Sequence, residues 1–93
     1  MTNKDLGIRE VNQNCIVNEY DVLIVGNSSG NITVKLVAAN GTSQVFYFKN
    51  IGTGTMTITP DCLDTIDGDT TVALTRWDSL CTVDYAKTKW LKP

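Results

Sequence analysis

Between Asp21 and Trp90 short β-branched or aromatic segments alternate with turns rich in Gly, Asn and Asp, at intervals of roughly ten residues. No segment sustains an apolar face at helical spacing, so this punctuation excludes long helices. Thirteen threonines strengthen the reading. A side chain branched at Cβ fits a pleated strand and loses rotamer freedom in a helix. The expected fold class is all-β: a compact antiparallel sandwich or barrel-like module of about seven or eight short strands.

The strands are expected over residues 11–17, 21–25, 32–36, 45–49, 55–59, 70–74 and 80–83, with a short closing strand at Trp90-Leu91. Residues 32–36 alternate strictly, with Ile32, Val34 and Leu36 on one face and Thr33 and Lys35 on the other. Asn40-Gly41 and Asp67-Gly68 suit tight turns, because these residues tolerate positive φ at low cost. Gly52-Thr53-Gly54 reads as a hairpin connection, and Pro60 ends the strand before it because proline has no N–H to donate. The core is expected from Ile24, Ile32, Val34, Leu36, Phe46, Phe48, Met56, Ile58, Ile66, Val72, Leu74, Val83 and Trp90. Residues 1–10 are polar and mixed in charge, and are expected to form a flexible or attachment arm ahead of a single β module spanning 11–93.

A chain of 93 residues buries a smaller share of its surface than a large one, so its core needs help. Three cysteines, Cys15, Cys62 and Cys81, make an odd number without metal-type spacing, which argues against a disulfide framework. Association between chains is the more natural source of stability. Val45-Phe46-Tyr47-Phe48 is apolar on both faces, which suits one face in the core and the other against a neighbouring chain. A net charge of −2 with scattered basic residues gives no footprint for nucleic acid. No apolar run is long enough to span a bilayer, and the first ten residues lack the apolar stretch of a signal peptide. The expectation is a chain made in a cytoplasm, with no membrane insertion.

Chemistry is sparsely signalled. The chain has no histidine, which removes the commonest general base and the usual Ser-His and Cys-His systems. Asp61, Asp64, Asp67 and Asp69 offer carboxylates of the kind that Ca²⁺ prefers, but their spacing is not that of the helix-loop-helix site, and solvated turn carboxylates are the simpler reading. No catalytic residue, cofactor or metal site is assigned. Arg76, Trp77 and Asp78 sit together on a loop, where a rigid scaffold commonly presents recognition residues, and Tyr47 adds a second aromatic for contact with a partner or a glycan. In the arm, Leu6, Ile8 and Arg9 are the candidates for attachment: two apolar side chains for a groove and a cation at its rim.

Several of these elements together resemble, in chain order, a small β-rich module of tailed-bacteriophage structural proteins. The elements are Asp21-Val22-Leu23-Ile24-Val25, Ser28-Ser29-Gly30-Asn31-Ile32-Thr33-Val34-Lys35-Leu36, Phe46-Tyr47-Phe48-Lys49-Asn50-Ile51-Gly52-Thr53-Gly54, Thr57-Ile58-Thr59-Pro60 and Asp64-Thr65-Ile66-Asp67-Gly68. Thr65 to Gly68, followed by Thr70-Thr71-Val72-Ala73-Leu74, is the most specific piece. Such modules occur in tail fibres, tailspikes, receptor-binding proteins and capsid-attached head fibres. The family commonly finishes on an Asp-Gly-x-x-Trp turn, whereas here Asp84 to Trp90 contains no glycine. The resemblance implies a non-enzymatic virion component, a homotrimeric capsid decoration or head-fibre protein partnered by phage capsid or tail proteins. The alternative it offers is a tail-fibre module that binds host-surface carbohydrate.

Overall fold

The computed structural model describes residues 7–93, which form ten strands and no helix. In order they are β1 (Ile8–Val11), β2 (Cys15–Ile16), β3 (Leu23–Gly26), β4 (Ile32–Lys35), β5 (Val45–Asn50), β6 (Met56–Thr59), β7 (Thr65–Ile66), β8 (Val72–Leu74), β9 (Ser79–Ala86) and β10 (Lys89–Leu91). A six-stranded sheet runs β1-β3-β5-β9-β10-β7, and a four-stranded sheet runs β2-β4-β6-β8. The all-β expectation holds. The expectation of antiparallel pairing does not hold through the first six strands.

From β1 to β6 the chain visits the two sheets alternately, and each strand of β3 to β6 lies parallel to its counterpart one visit earlier. The result is a coil of three turns. Leu23 pairs with Tyr47 and Ile32 with Met56, the same 24-residue step in both sheets. The first turn is shorter, with Ile8 beside Leu23 and Cys15 beside Val34. Antiparallel strands close the far side of the coil, β9 against β5 and β8 against β6.

Side chains from the facing surfaces of both sheets build one core, with Ile24, Phe46, Phe48 and Trp90 from one sheet and Ile32, Val34, Met56 and Ile58 from the other. Phe46 and Trp90 pack with ring centroids 5.8 Å apart. Val17, Ala39 and Leu80 also join the core. Two expected core residues do not belong to it in full. Val72 is half-buried at the margin, and Val83 lies on the outer face opposite Val45. Alternation along β9 is fixed by Leu80 beside Phe48, which turns Thr82 and Asp84 inward and Cys81, Val83 and Tyr85 outward.

The segment expected as one strand over residues 11–17 is broken at Asn12-Gln13-Asn14, where the coil turns its corner and the Asn14 carboxamide accepts a bond from the Thr33 N–H (2.8 Å). Residues 8–10, expected in an arm, belong to β1. Ile8 faces outward beside Leu23. Arg9 stands in the column of Ile24 and closes the open end of the coil, its guanidinium on the Asp21 carboxylate (2.8 Å) and the Ile16 carbonyl (3.1 Å). Leu6 lies outside the described residues.

Gly52-Thr53-Gly54 is not a hairpin. It is a corner between sheets, stacked directly on the corner Ser28-Ser29-Gly30 of the preceding turn, with the Gly54 N–H bonded to the Ser28 carbonyl (2.9 Å). A Cβ at Gly54 would overlap the Gly30 carbonyl, and one at Gly52 would overlap the Ser28 backbone. Asp67-Gly68 does make the expected tight turn, with φ of 50° and 84° and reciprocal bonds between Ile66 and Asp69. Thr88, at φ 65°, supplies the positive φ of the β9-β10 connection, which lacks a glycine.

Gly54→Ala is expected to destabilise the fold by about 1–3 kcal/mol, since backbone rather than a movable side chain fills the space. Gly68→Asn, in open space and at a φ that asparagine tolerates, is expected to cost less than about 1 kcal/mol. Urea midpoints at constant m-value check both.

Candidate functional site

Alternation decides what the six-stranded sheet shows on its outer face. Ile8, Leu23, Tyr47 and Cys81 form one row across β1, β3, β5 and β9, and Val45 and Val83 sit side by side in another, with Leu91 next to Val83. All are half-buried or exposed, although none is polar except for the tyrosine hydroxyl and the thiol. Tyr47 is 49% exposed in the middle of this apolar surface. Beside it an open groove of about 520 Å³ is lined by Leu23, Tyr47, Phe48, Lys49, Ser79, Leu80 and Cys81.

The turn before β9 stands at one end of that groove. Trp77 is 59% exposed and takes φ 73°, a conformation in which a bulky L-residue is strained. Its N–H donates to the Asn50 carbonyl (2.6 Å), and its carbonyl accepts from Lys49 Nζ (2.5 Å). Asn50 is itself buried and fixed, donating through Nδ2 to the carbonyls of Gly54 and Leu74 (2.8 Å each) and accepting from the Gly52 N–H (3.0 Å). Arg76 lies over the Trp77 ring, its Cζ 4.9 Å from the ring centroid. Asp78 faces back into the turn, where its carboxylate accepts from the Thr75 hydroxyl (2.8 Å) and N–H (3.0 Å). These bonds hold its carboxyl below the usual range, the hydroxyl contributing most.

The candidate contact residues therefore divide. Tyr47 and Trp77 are displayed, and they are linked through Lys49 and Ser79. Arg76 accompanies Trp77. Asp78 is committed to holding the turn. Leu23, Lys49, Ser79 and Cys81 were absent from the candidate set, and their only sequence signal is the same-face spacing of Tyr47 with Lys49 and of Ser79 with Cys81.

Several of the remaining acidic groups have structural partners, and the Cys15 thiol has unreactive surroundings. Asp61 pairs with Lys35 (3.1 Å), Asp64 accepts from the Ala39 N–H (2.8 Å) and Asp67 from the Lys92 N–H (3.0 Å). Among the described residues no three acidic, histidine or cysteine groups converge as metal ligands would. Burial pushes the Cys15 thiol up, against the influence of the Arg9 charge, so it is a poor nucleophile at neutral pH. Asp84 is the most enclosed carboxylate with a shifted pKa. Burial acts to raise it, but bonds from the Asn40 N–H, the Thr42 hydroxyl and the Gly41 N–H outweigh burial and hold the carboxyl below the usual range. At 2.7–3.1 Å these donors occupy both oxygens. Asp84 is thus a clasp on the 40–42 loop and has no free oxygen with which to move a proton.

Compared with protein-family models, curated proteins and solved structures, the chain matches none of them. Among the described residues no helix is long and apolar enough to cross a membrane.

Because Asp84 is depressed in the folded state, its stabilisation is present above the unfolded carboxyl pKa of about 3.9 and is lost as pH falls through the lower folded value. Asp84→Asn is expected to cost about 1–3 kcal/mol at pH 7, since an amide N–H₂ faces donors where an oxygen stood. The variant should also lose less stability between pH 5 and 2 than the parent, read from urea midpoints across that window.

Proposed function

We propose that the chain is a non-enzymatic structural module of a tailed-phage virion, a capsid decoration or head-fibre protein that works as a homotrimer. The observation that carries the reading is the apolar outer face of the six-stranded sheet, with Tyr47 exposed at its middle. A contiguous apolar face is what a subunit contact needs, and aromatic residues anchor such contacts. The ordered likeness to phage modules points the same way, as do the structural commitments of Asp78 and Asp84. In this reading the outer faces of three copies meet around an axis, and the segment ahead of β1 attaches the assembly to its capsid or tail partner.

A second reading rests on Trp77. A strained turn that holds an indole in solvent suits a tail-fibre module that binds host-surface carbohydrate, with the apolar sheet still joining the copies.

Light scattering at micromolar concentration is expected to give three times the chain mass of 10.2 kDa. Tyr47→Arg should weaken assembly by roughly 30-fold, the effect of losing a contact anchor, while the monomer's unfolding free energy shifts by no more than about 0.5 kcal/mol. A protein that stays monomeric in solution and is absent from particles would remove the proposal. Removal of residues 1–6 should leave the trimer intact and abolish its incorporation into particles, whereas a deletion that runs through Val11 strips β1 from β3 and should lower stability as well.

A further inference from the structure

The 75–78 turn is over-determined. Six hydrogen bonds fix it: the two from and to Trp77, the two from Thr75 to the Asp78 carboxylate, the Asp78 N–H to the Thr75 carbonyl and the Asn50 N–H to the Asp78 carbonyl (both 3.0 Å). That network holds a tryptophan at φ 73°, where glycine or asparagine would sit with less strain. The fold gains little from the indole in return. Trp90 shows the contrast, being fully buried against Phe46. A side chain kept in a strained conformation with its ring in water points to an external ligand.

The chemistry around the ring narrows what that ligand is. The indole offers an electron-rich flat surface, which suits the C–H face of a sugar ring. The Arg76 guanidinium lies at 4.9 Å from the ring centroid and, among the described residues, is in no ion pair. Lys49 spends one donor on the Trp77 carbonyl, leaving the rest of its ammonium group to a ligand. Ser79 lies beside Lys49 in the groove and adds a hydroxyl. The nearest acid, Asp78, is turned inward onto Thr75. The tip of an acidic protein therefore presents an aromatic ring, two cations and a hydroxyl. A guanidinium and a carboxylate match in a two-point geometry, which a neutral ligand does not use.

We propose that the 75–78 turn binds a carboxylate-bearing saccharide, with Trp77 stacking on the sugar ring and with Arg76 and Lys49 meeting the carboxylate. This inference deepens the carbohydrate reading of the same turn and rests on it. The apolar row through Tyr47 remains with the subunit contact, so ligand and assembly occupy neighbouring parts of one face.

The test is calorimetric titration of the full chain, in its assembled state, with trigalacturonate and with the neutral maltotriose. Trigalacturonate is expected to bind saturably and at least about tenfold more tightly than maltotriose, the effect of one charge-assisted pair. Trp77→Gly should abolish measurable binding while leaving the urea midpoint unchanged or higher, because glycine relieves the strained φ; a merely structural tryptophan would not give this combination. Arg76→Gln should erase the preference for the acid and keep the weaker neutral binding. Equal affinity for the two trisaccharides in the parent would overturn the acidic class and leave the carbohydrate reading standing. Absence of binding to either would overturn both. Undiminished trigalacturonate binding by Trp77→Gly would overturn the assignment to this turn. Neither sugar binding, together with a Trp77-dependent contact to a purified virion protein, would make the turn a protein contact and overturn the proposal.

Discussion

Gly54 lies so close to the carbonyl of Gly30 that no side chain fits between them, and Gly52 meets the backbone of Ser28 in the same way. This approach of one corner to the next lets the second and third turns of the coil keep a single step in both sheets. The Asn31 carboxamide accepts from the Thr55 N–H (3.0 Å) across the same corner, and the Ile51 N–H donates to the Gly26 carbonyl (2.8 Å). Were either corner one residue longer, one ladder would slip relative to the other and every side chain along it would change face. Gly26 belongs to the same constraint. A Cβ there would run into Met56, whose thioether crosses from the opposite sheet into the space that the glycine leaves.

A parallel coil leaves edges, and the two ends of this one are treated differently. Beyond the third turn, antiparallel β9 and β8 cover β5 and β6. Asp84, on the inner side of β9, then draws in the 40–42 loop through three separate donor groups, so the covering strand and the β4-β5 connection are tied together. At the first turn no strand among the described residues lies beyond β1. There Arg9 replaces the apolar residue that its column otherwise carries, and a half-buried cation paired with Asp21 ends the core. A charge at this point is tolerable because the side chain keeps part of its contact with water and because Asp21 and the Ile16 carbonyl take its terminal nitrogen, although Nε has no partner.

Local alternation made much of the fold legible. Residues 32–36, 45–49 and 55–59 read as strands with the right inner faces, because one apolar side and a turn at each end suffice to specify them. The parallel pairing was hidden. Leu23 to Lys35 and Tyr47 to Thr59 correspond position by position, yet only Gly30 with Gly54 and Thr33 with Thr57 are identical. A coil asks each turn to keep small corners and an apolar inner face, not a fixed set of residues, so a repeat of two turns barely shows. Gly52 and Gly54 therefore read as a hairpin connection from the sequence, whereas the structure uses them for close approach of one corner to the next. Val83 was misplaced for a related reason. Leu80, Thr82 and Asp84 face inward, and the polar pair conceals the inner side of β9 until the Asp84 clasp is seen. At the candidate site, Trp77 and Tyr47 were legible as aromatics on a loop and on a doubly apolar strand. The inward orientation of Asp78 was not, because only the turn geometry shows its carboxylate spent on Thr75.

The two outer faces of the coil are built from the same backbone and differ in their balance of chemistry. On the four-stranded sheet Thr33 stands beside Thr57 and Ala73, and Lys35 beside Thr59. The three threonines satisfy the preference for side chains branched at Cβ while meeting water with hydroxyls, and Lys35 meets it with a cation paired to Asp61. Threonine thus gives this chain a solvated strand surface at little expense in strand propensity. On the six-stranded sheet the outward positions include Leu23, Val25, Val45, Tyr47 and Val83, where threonine would have formed the strand as well, next to the polar Glu10, Lys49 and Ser79 in the row of Val25. Strand formation consequently does not account for the apolar choice. What separates the faces is the chemistry they show to their surroundings: hydroxyls and a paired lysine around Thr33 and Thr57, and an exposed aromatic ring set among leucine and valine around Tyr47.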